Sequence, residues 1–311
     1  MIKYPDIENS FRMATIENLG RYDGLFVAEE KIDGSNFQIE IDRNGNKTFY
    51  SRNHPLSENS KFYGFQDVVE RQEFVELFEK VSEYCSSQNY TSIHLFGELY
   101  GKGINGRVNY GSSKNIVFFD AFVEKENTIT WLTRVQLEVL FHVCEATDLL
   151  IPVLKSGTLE ELLSIDVENL QSAYSPTNDN AEGIVIKPYS VIVPTDFYKE
   201  VGTMDGTSPA YIKKKAQRFL ETKGTRVKKP REKSEFEDVF LEYINDNRVK
   251  SVFSKEGVIP DKRYISKYIG FVIDDAYKDF KWDYPDYPDE DKKNIIKPAG
   301  NAVAKILLGY C

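Results

Sequence analysis

The chain of 311 residues is 41% hydrophobic and 29% charged, with a formal net charge of −9 at neutral pH. This length suits one large domain, or a large and a small one, and the acidic balance excludes a nonspecific, charge-driven grip on nucleic acid or membrane by the whole chain. Three cysteines without paired spacing exclude a disulfide framework and a cysteine zinc site. With no secretory leader and no apolar run that could span a bilayer, we expect a cytoplasmic protein without membrane association.

Short alternating segments and helical patterns make up the first two thirds of the chain. The alternation of apolar and polar residues is typical of half-buried strands, and Asp33-Gly34 predicts a hairpin bend between the first two. Strands are predicted at 25–32, 36–42, 46–52, 92–101, 114–124 and 182–188, and helices at 65–85, 133–150 and 158–165. The absence of a regular βαβ alternation indicates an α+β fold with largely antiparallel sheets.

From about residue 234 the pattern becomes helical. Residues 234–246, 263–277 and 297–309 each place apolar side chains on one face, with Ser234 as a helix cap and Pro298 in a first helical turn. The preceding segment is polar and basic, as linkers are. We therefore expect two domains, residues 1–230 and a small helical domain at 234–311.

The sequence KIDG at residues 31–34 places a lysine at the end of a predicted strand. A free lysine has a pKa of about 10.4, so Lys31 becomes a nucleophile near neutral pH only where burial or neighbouring cations destabilise its ammonium. Cations are therefore expected around Lys31 if it is reactive. Alone, the four-residue pattern fits a surface lysine equally well.

Later segments supply further charged and aromatic side chains at strand ends. They are Arg52 in YSRNH, Glu98 in FGELYG, Phe119 and Asp120 in NIVFFDAF, Glu182 and Lys187 in EGIVIKP, and Lys213 and Lys215 in YIKKK. Together with KIDG, this ordered set resembles the nucleotidyltransferase motifs of ligases that form a covalent lysine–AMP intermediate. It is most similar to the bacteriophage RNA ligase 2 family, which includes the kinetoplastid RNA-editing ligases. The resemblance covers about two thirds of the chain.

The resemblance implies an ATP-grasp-like nucleotidyltransferase domain of antiparallel sheets with flanking helices, followed by a small all-α domain. It also implies catalytic roles for five residues. Lys31 would attack the α-phosphate of ATP, and Asn36 would orient the phosphate or the incoming end. Arg52 would contact the phosphates of the nucleotide and of the RNA end, while Lys213 and Lys215 would stabilise phosphate charge.

The same resemblance implies a binding site for ATP and for a divalent metal ion, Mg²⁺ or Mn²⁺. Glu98 would hold the ribose hydroxyls, and Glu182 would position the metal. Phe119 would stack on adenine, with its neighbour Phe118 as the alternative, since only one of the two faces the cleft. The catalytic set also contacts the nucleotide, and the remaining contacts would come from Glu30 at the adenine edge, Ile32 and Lys187.

Two features bear on the branch of the superfamily. Position 33 is Asp, as in DNA ligases, where phage and kinetoplastid members usually carry His; the C-terminal helical pattern replaces the β-barrel of DNA ligases and capping enzymes. The predicted function is a monomeric, ATP-dependent RNA ligase that joins 3′-OH and 5′-phosphate ends, with nicked duplex RNA as its substrate. A DNA ligase, a capping-type guanylyltransferase and a non-catalytic nucleic-acid-binding module are the alternatives.

Two further segments have a structural and a functional interpretation. Residues 213–233 are strongly basic, so they form either a solvated linker or a contact to the RNA backbone. The sequence GKGING at 101–106 fits a dinucleotide fingerprint, but no helix pattern follows it. A glycine-rich loop beside a nucleotide pocket is the better interpretation.

Overall fold

The computed structural model describes residues 2–194, 209–220, 236–259 and 262–310. The chain forms two compact units, and the boundary between them lies between Ala216 and Gln217. The domain boundary predicted at 230–234 lies outside the described residues, as do the Ser234 cap and most of the basic segment 213–233.

Two sheets form the first unit. Its strands are β1 (Glu8–Asn9), β2 (Phe26–Lys31), β3 (Ser35–Asp42), β4 (Lys47–Ser51), β5 (Pro55–Leu56), β6 (Ser92–Gly101), β7 (Lys114–Lys125), β8 (Thr128–Trp131), β9 (Val153–Gly157), β10 (Gly183–Pro188) and β11 (Ile212–Lys215). The five-stranded sheet has the order β1-β11-β10-β2-β9, and the six-stranded sheet has the order β5-β4-β3-β6-β7-β8. Only β1 and β11 pair in parallel among the described strands. The predicted α+β class with antiparallel sheets is confirmed.

Helices cover the first unit and build the second. They are α1 (Met13–Leu19), α2 (Gln66–Val69), α3 (Gln72–Ser87), α4 (Arg134–Val143) and α5 (Leu159–Leu163), then α6 (Phe236–Leu241), α7 (Asp246–Glu256), α8 (Ile265–Asp283) and α9 (Lys292–Leu307). The helix predicted at 65–85 is interrupted at Arg71, whose ψ of 150° is extended. The helix predicted at 133–150 ends at Val143, because Glu145 adopts a positive φ of 52°. None of the described helices is both long and apolar enough to cross a bilayer.

The connection between β2 and β3 is not the predicted hairpin. These strands belong to different sheets, so residues 32–34 carry the chain from one sheet to the other. Gly34 is needed for close approach rather than for a turn, since a Cβ there would lie 2.5 Å from the Leu99 carbonyl oxygen and 2.7 Å from Glu98 Cγ. The crossing leaves Lys31 at the end of the five-stranded sheet, next to the six-stranded one.

The two sheets pack against each other through aromatic side chains. This layer contains Tyr4, Phe96, Phe122, Trp131, Val185 and Tyr211. The opposite face of the six-stranded sheet packs against α3 and α4 and forms the larger core. A cleft between the sheets is therefore walled by side chains from both.

The second unit is a bundle of α6 to α9 around its own apolar core. Sequence analysis predicted one helix over 234–246, whereas α6 ends at Leu241 and Asn245 caps a separate helix, α7, that was not predicted. Pro298 lies inside α9 instead of in its first turn, because the helix already begins at Lys292. The all-α character of this region is confirmed.

A buried ion-pair cluster joins α7 and α8 in this unit. Arg248, 3% exposed, donates to Asp275 and Asp279 over 2.7 Å each, and Lys255 donates to the other oxygen of Asp275. Burial opposes ionisation of Asp275, but Lys255 and Arg248 outweigh it and hold its pKa well below its usual range. The stability that this carboxylate contributes is therefore present at neutral pH and lost in strong acid.

We expect Asp275→Ala to lower the free energy of unfolding of the second unit by about 3 kcal/mol, because it removes one of the two carboxylate partners of buried Arg248 and the partner of Lys255. Unfolding in urea, followed by the fluorescence of Trp282 in a Trp131→Phe background, measures this unit. The adjacent Asp274 is exposed and pairs with Lys292 at the surface, so Asp274→Ala is the control, with a change within about 0.5 kcal/mol. Equal effects of the two variants would contradict the assignment.

Candidate active site

The ends of three neighbouring strands bring two lysines onto one carboxylate. Gly183 on β10 pairs with Lys31 of β2 on one side and with Lys215 of β11 on the other. The Nζ atoms of Lys31 and Lys215 each lie 2.8 Å from a different oxygen of Glu182. Position 183 must be glycine, since a Cβ would lie 2.0 Å from the Lys214 carbonyl oxygen. The register of the sheet thus determines this bridge.

Glu182 is the electrostatic centre of the bridge. It is 2% exposed, and burial opposes its ionisation, but Lys215, Lys31 and Arg107 together lower its pKa to about 2. The carboxylate is therefore charged at neutral pH. The prediction that cations surround Lys31 is wrong in one respect, because the charged group in contact with its amine is the Glu182 carboxylate. The cation Lys215 contacts the other oxygen of that carboxylate.

Lys31 lies at a cleft between the two sheets rather than in bulk solvent, with 21% of its side chain exposed. The cleft is lined by Tyr4, Ile7, Glu29, Glu30, Lys31, Ile32, Glu98, Val117, Phe119, Ile151, Val185 and Lys187. Six residues that sequence analysis assigned to nucleotide binding meet here: Glu30, Lys31, Ile32, Glu98, Phe119 and Lys187. Its walls combine apolar side chains with a few charged groups from β2, β6 and β10, as in many ligand sites.

Of the two neighbouring phenylalanines, Phe119 is the one on the cleft. Its ring is half-buried and contacts Tyr4 edge to face, with centroids 5.2 Å apart. Phe118 is fully buried on the opposite side of β7, where it packs against Phe74 and Phe141 of the larger core. The alternation along the strand therefore gives only Phe119 access to a ligand.

Glu98, which lines the cleft, has the polar side chain of Asn36 as its neighbour. They are direct cross-strand neighbours on β6 and β3. Burial raises the pKa of Glu98 to about 8, with Lys31 opposing and Glu182 and Asp33 reinforcing the shift. The Asn36 Oδ1 atom is buried without a hydrogen-bond partner within the described ranges. Because a buried acceptor is costly to leave unpaired, Asn36 Oδ1 is suited to accept a hydrogen bond from a ligand's hydroxyl group.

Arg52 follows β4 and lies outside the cleft walls. Its guanidinium is bonded to Asp6 of the N-terminal segment, while its buried Nε has no partner in the described part of the chain. Arg52 also acts electrostatically on Glu98. The structure therefore places it near the mouth of the cleft, held by Asp6.

Glu30 and Lys187 are already engaged by protein groups. Glu30 accepts hydrogen bonds from the Ser172 hydroxyl and, over 2.9 Å, from the Ala173 N–H. Burial raises its pKa, and both donors oppose the shift. Lys187 donates to the Phe119 carbonyl over 2.6 Å and lies 2.8 Å from Glu29. These two residues support the walls of the cleft.

Lys213 lies on the same strand face as Lys215, two residues earlier on β11. It pairs in register with Val185 and is half-buried outside the cleft walls. Between the two, Lys214 points to the other face and donates to the carbonyls of Leu163 and Ile165. The two-residue spacing thus separates two cations on the site's face from a structural lysine.

Sequence analysis did not assign the groups that hold the KIDG segment. Asp33, which is 1% exposed, is bonded by Arg107 and Asn105 of the loop after β6, and its N–H donates to the Tyr110 hydroxyl over 2.8 Å. The expected glycine-rich loop is therefore next to the site. Its contacts leave no periodic pattern in the sequence, because the partners are more than 70 residues apart.

One carboxylate of this site is suited to a divalent metal ion. No group of three metal-ligating side chains occurs in the ranges that the structure describes. Glu182 nevertheless offers charged oxygen donors, and Mg²⁺ characteristically retains several water ligands beside one or two carboxylates. The donor set fits such an ion.

Comparison with known proteins identifies the family. A family model described as RNA ligase matches residues 24–200, and one described as T4 RNA ligase 2 C-terminal matches residues 227–305. The fold and the strand-end site define a nucleotidyltransferase of the ligase type. The chain belongs to the RNA ligase family, in the RNA ligase 2 branch.

Solved structures share the fold. Variants of Naegleria gruberi RNA ligase, one without ligand and one with ATP and Mn, superpose with a TM-score of 0.51. They are 18% and 17% identical to this chain and cover 71% of it. The match spans 57% of the length of those chains, so their likeness shows the nucleotidyltransferase fold alone.

The raised pKa of Glu98 predicts a pH-dependent stability. The folded pKa of about 8 exceeds the usual 4.5, so the stabilisation by the neutral carboxyl is complete below pH 4.5 and is lost as the pH rises toward 8. Relative to Glu98→Gln, the free energy of unfolding of the wild-type protein should fall by roughly 2–4 kcal/mol between about pH 5 and pH 8.

Urea unfolding at both pH values, followed by Trp131 fluorescence in a Trp282→Phe background, checks this difference. Glu126→Gln, at an exposed turn, is the control and should keep the wild-type dependence. The same pH slope in wild type and Glu98→Gln would refute the assignment.

Proposed function

We propose that the protein is an ATP-dependent RNA ligase that uses Lys31 as its nucleophile. The observation that carries the proposal is the convergence of Lys31, Glu98 and Phe119 on one cleft, with Glu182 and Lys215 at the amine of Lys31. Membership of the RNA ligase family supports RNA as the substrate. The ligase of the same fold that was solved with ATP and Mn supports ATP and a divalent metal.

In the first step, the neutral amine of Lys31 attacks the α-phosphorus of ATP. A nitrogen–phosphorus bond forms, the bond to the bridging oxygen breaks, and pyrophosphate leaves. The 2.8 Å ion pair with Glu182 must open first, and the ammonium must release a proton to solvent, because the attack needs the lone pair of the amine. A second proton leaves the nitrogen for solvent as the nitrogen–phosphorus bond forms. Glu182 would hold the Mg²⁺ or Mn²⁺ ion, which when bound supplies positive charge for the phosphates.

The other side chains bind the nucleotide and stabilise charge. Phe119 provides an aromatic face for adenine, and Glu98, whose pKa is about 8, can donate to or accept from the ribose hydroxyls. Lys215 and Lys213 on β11 stabilise the developing negative charge on phosphate, which is the main catalytic requirement of this chemistry. Arg52 and Asn36 contact phosphate oxygens at the mouth of the cleft.

Two further steps complete the reaction. The 5′-phosphate of the RNA attacks the phosphorus of lysyl-AMP and takes the adenylyl group, which returns the amine of Lys31. The 3′-hydroxyl of the other end then attacks the activated phosphate, loses its proton and expels AMP, which forms the phosphodiester. A monomeric, cytoplasmic enzyme is part of the same proposal and rests on the family resemblance alone.

We propose a nick in duplex RNA as the substrate, with the helical unit engaging the RNA through α9. Residues 292–307 contain four lysines and no acidic residue. Lys293, Lys297 and Lys305 are exposed at intervals of four and eight residues, so they form a row that winds slowly around the helix over about 18 Å. None of the three forms an ion pair within the described residues. Such a row suits the phosphates of a duplex, which proteins recognise largely through its backbone.

Labelling tests the nucleophile. With ATP labelled at the α-phosphate, the wild-type protein should acquire an acid-labile label on a denaturing gel, and Lys31→Ala should acquire none because the attacking amine is absent. Lys155→Ala, at an exposed position, is the matched control and should label normally. Matched nicks in RNA and DNA then report sealing.

Each alternative function predicts a different result in this assay. Labelling by GTP would indicate a capping-type enzyme, and sealing of DNA alone would indicate a DNA ligase. A folded wild-type protein that takes no label would be a binding module.

Replacing three lysines of α9 tests the RNA contact. Lys293→Gln, Lys297→Gln and Lys305→Gln together should weaken binding of nicked duplex RNA and lower the slope of log affinity against log salt by about 2–3, because fewer counterions are released. Self-adenylylation should be unchanged. A control with Gln at Lys125, Lys155 and Lys278, which are also exposed, removes the same charge elsewhere. Equal losses in both triple variants would show that only net charge matters.

A further inference from the structure

A loop of the six-stranded sheet is hydrogen-bonded to the segment that follows Lys31, residues 32–34. This loop joins β6 to β7, and its Arg107 donates from Nε to both oxygens of Asp33, over 3.1 and 3.0 Å, and from Nη2 to one of them. The pair is buried, with 11% of the Arg107 side chain and 1% of the Asp33 side chain exposed. Ion pairs between arginine and carboxylate with several hydrogen bonds are strong and directional.

Two other residues of the loop also bond this segment. Asn105 donates to the Gly34 carbonyl over 2.7 Å and to Asp33 over 3.1 Å. The Tyr110 hydroxyl accepts the Asp33 N–H over 2.8 Å. Both the side chain and the backbone of the segment are therefore held by one loop.

Buried apolar residues anchor the loop. Ile104 is fully buried in the larger core, and Val108 is also buried. Asn105 and Gly106 adopt positive φ angles of 52° and 71°, which turn the chain so that Asn105 faces the segment after Lys31. At the other end of the loop, the Asn109 N–H donates to Asp179 over 2.8 Å. The loop is thus anchored to the larger core at Ile104 and to a second loop at Asn109.

The segment itself needs such support. Residues 32–34 cross between the sheets and belong to no strand, so no ladder of backbone hydrogen bonds holds the chain directly after Lys31. A displacement of about 1 Å can reduce the rate of a group transfer roughly 100-fold. The position of the amine therefore depends on what holds Asp33 and Gly34.

We propose that Arg107 is a positioning residue for lysine adenylylation, which fixes the Lys31 amine through its bonds to Asp33. The inference rests on the proposed function, because it takes Lys31 as the nucleophile. Asp33 accepts from two donor nitrogens of Arg107, which does not line the cleft, so Arg107 acts on the position of Lys31 through Asp33 and the backbone. Its charge also lowers the pKa of Glu182, and Arg107→Lys retains that charge. The final sealing step does not use the amine of Lys31 and should be largely independent of the bonds between Arg107 and Asp33.

Arg107→Ala separates these steps. At saturating ATP, its rate of self-adenylylation should fall roughly 10–100-fold, while the KM for ATP stays within about 3-fold. Sealing of a nick whose 5′ end has been adenylylated beforehand should also stay within about 3-fold of wild type. Lys102→Ala, on the exposed part of the same loop, is the control and should match wild type in all three measurements.

Conservative variants distinguish positioning from folding. Arg107→Lys should recover part of the adenylylation rate, and Asp33→Asn should reproduce the loss. The double variant Asp33→Asn with Arg107→Ala should lose little more than either single variant, since both break the same pair. If Arg107→Ala does not fold, Arg107→Lys and Asp33→Asn carry the test.

Three outcomes would overturn the proposal. They are an unchanged adenylylation rate, an equal loss of adenylylation and of sealing from the preformed intermediate, and a rise in KM for ATP with an unchanged rate at saturation. A wild-type protein that takes no label refutes the proposed function instead, so the two failures are distinguishable.

Discussion

The site depends on one buried carboxylate shared by two lysines. Glu182 is excluded from water, so it remains charged only because Lys31 and Lys215 flank it, and removing either lysine would leave a buried charge poorly compensated. The bridge also sets the geometry of the site, since the two lysines reach Glu182 from opposite neighbours of the same strand. A glycine at position 183 is part of this arrangement, because any side chain would collide with the backbone of β11.

The arrangement of the sheets explains how an amine can be both held and available. β2 lies between β10 and β9 in the five-stranded sheet, so it is paired on both sides up to Glu29 and with β10 alone up to Lys31. Beyond that residue the chain leaves the sheet and crosses to the other one. The nucleophile is thus the last residue with strand support, and the loop containing Arg107 supports the chain that follows.

The sequence predicts most strands and the two-part organisation, because alternation and helical periodicity are local. The same motifs name Lys31, Glu98 and Phe119, and the structure lines one cleft with all three, while Phe118 lies in the larger core. Pairings between distant residues have no such local signal. The bond of Arg107 to Asp33 spans 74 residues, and the ion pair of Arg134 with Glu29 is similarly remote, so neither is visible in the sequence. The false hairpin at Asp33-Gly34 has the same origin, since turn residues do not reveal whether the flanking strands pair.

Position 33 illustrates how a local feature can mislead about the branch of a family. An aspartate there favours the DNA ligases when it is considered alone, whereas the C-terminal region matches the C-terminal domain of T4 RNA ligase 2. The structure removes the conflict, because the Asp33 carboxylate serves as the partner of Arg107 within the first unit. A histidine could not accept the same paired hydrogen bonds from a guanidinium. The residue at position 33 is therefore determined by the loop packed against it and carries no information about the domain that follows.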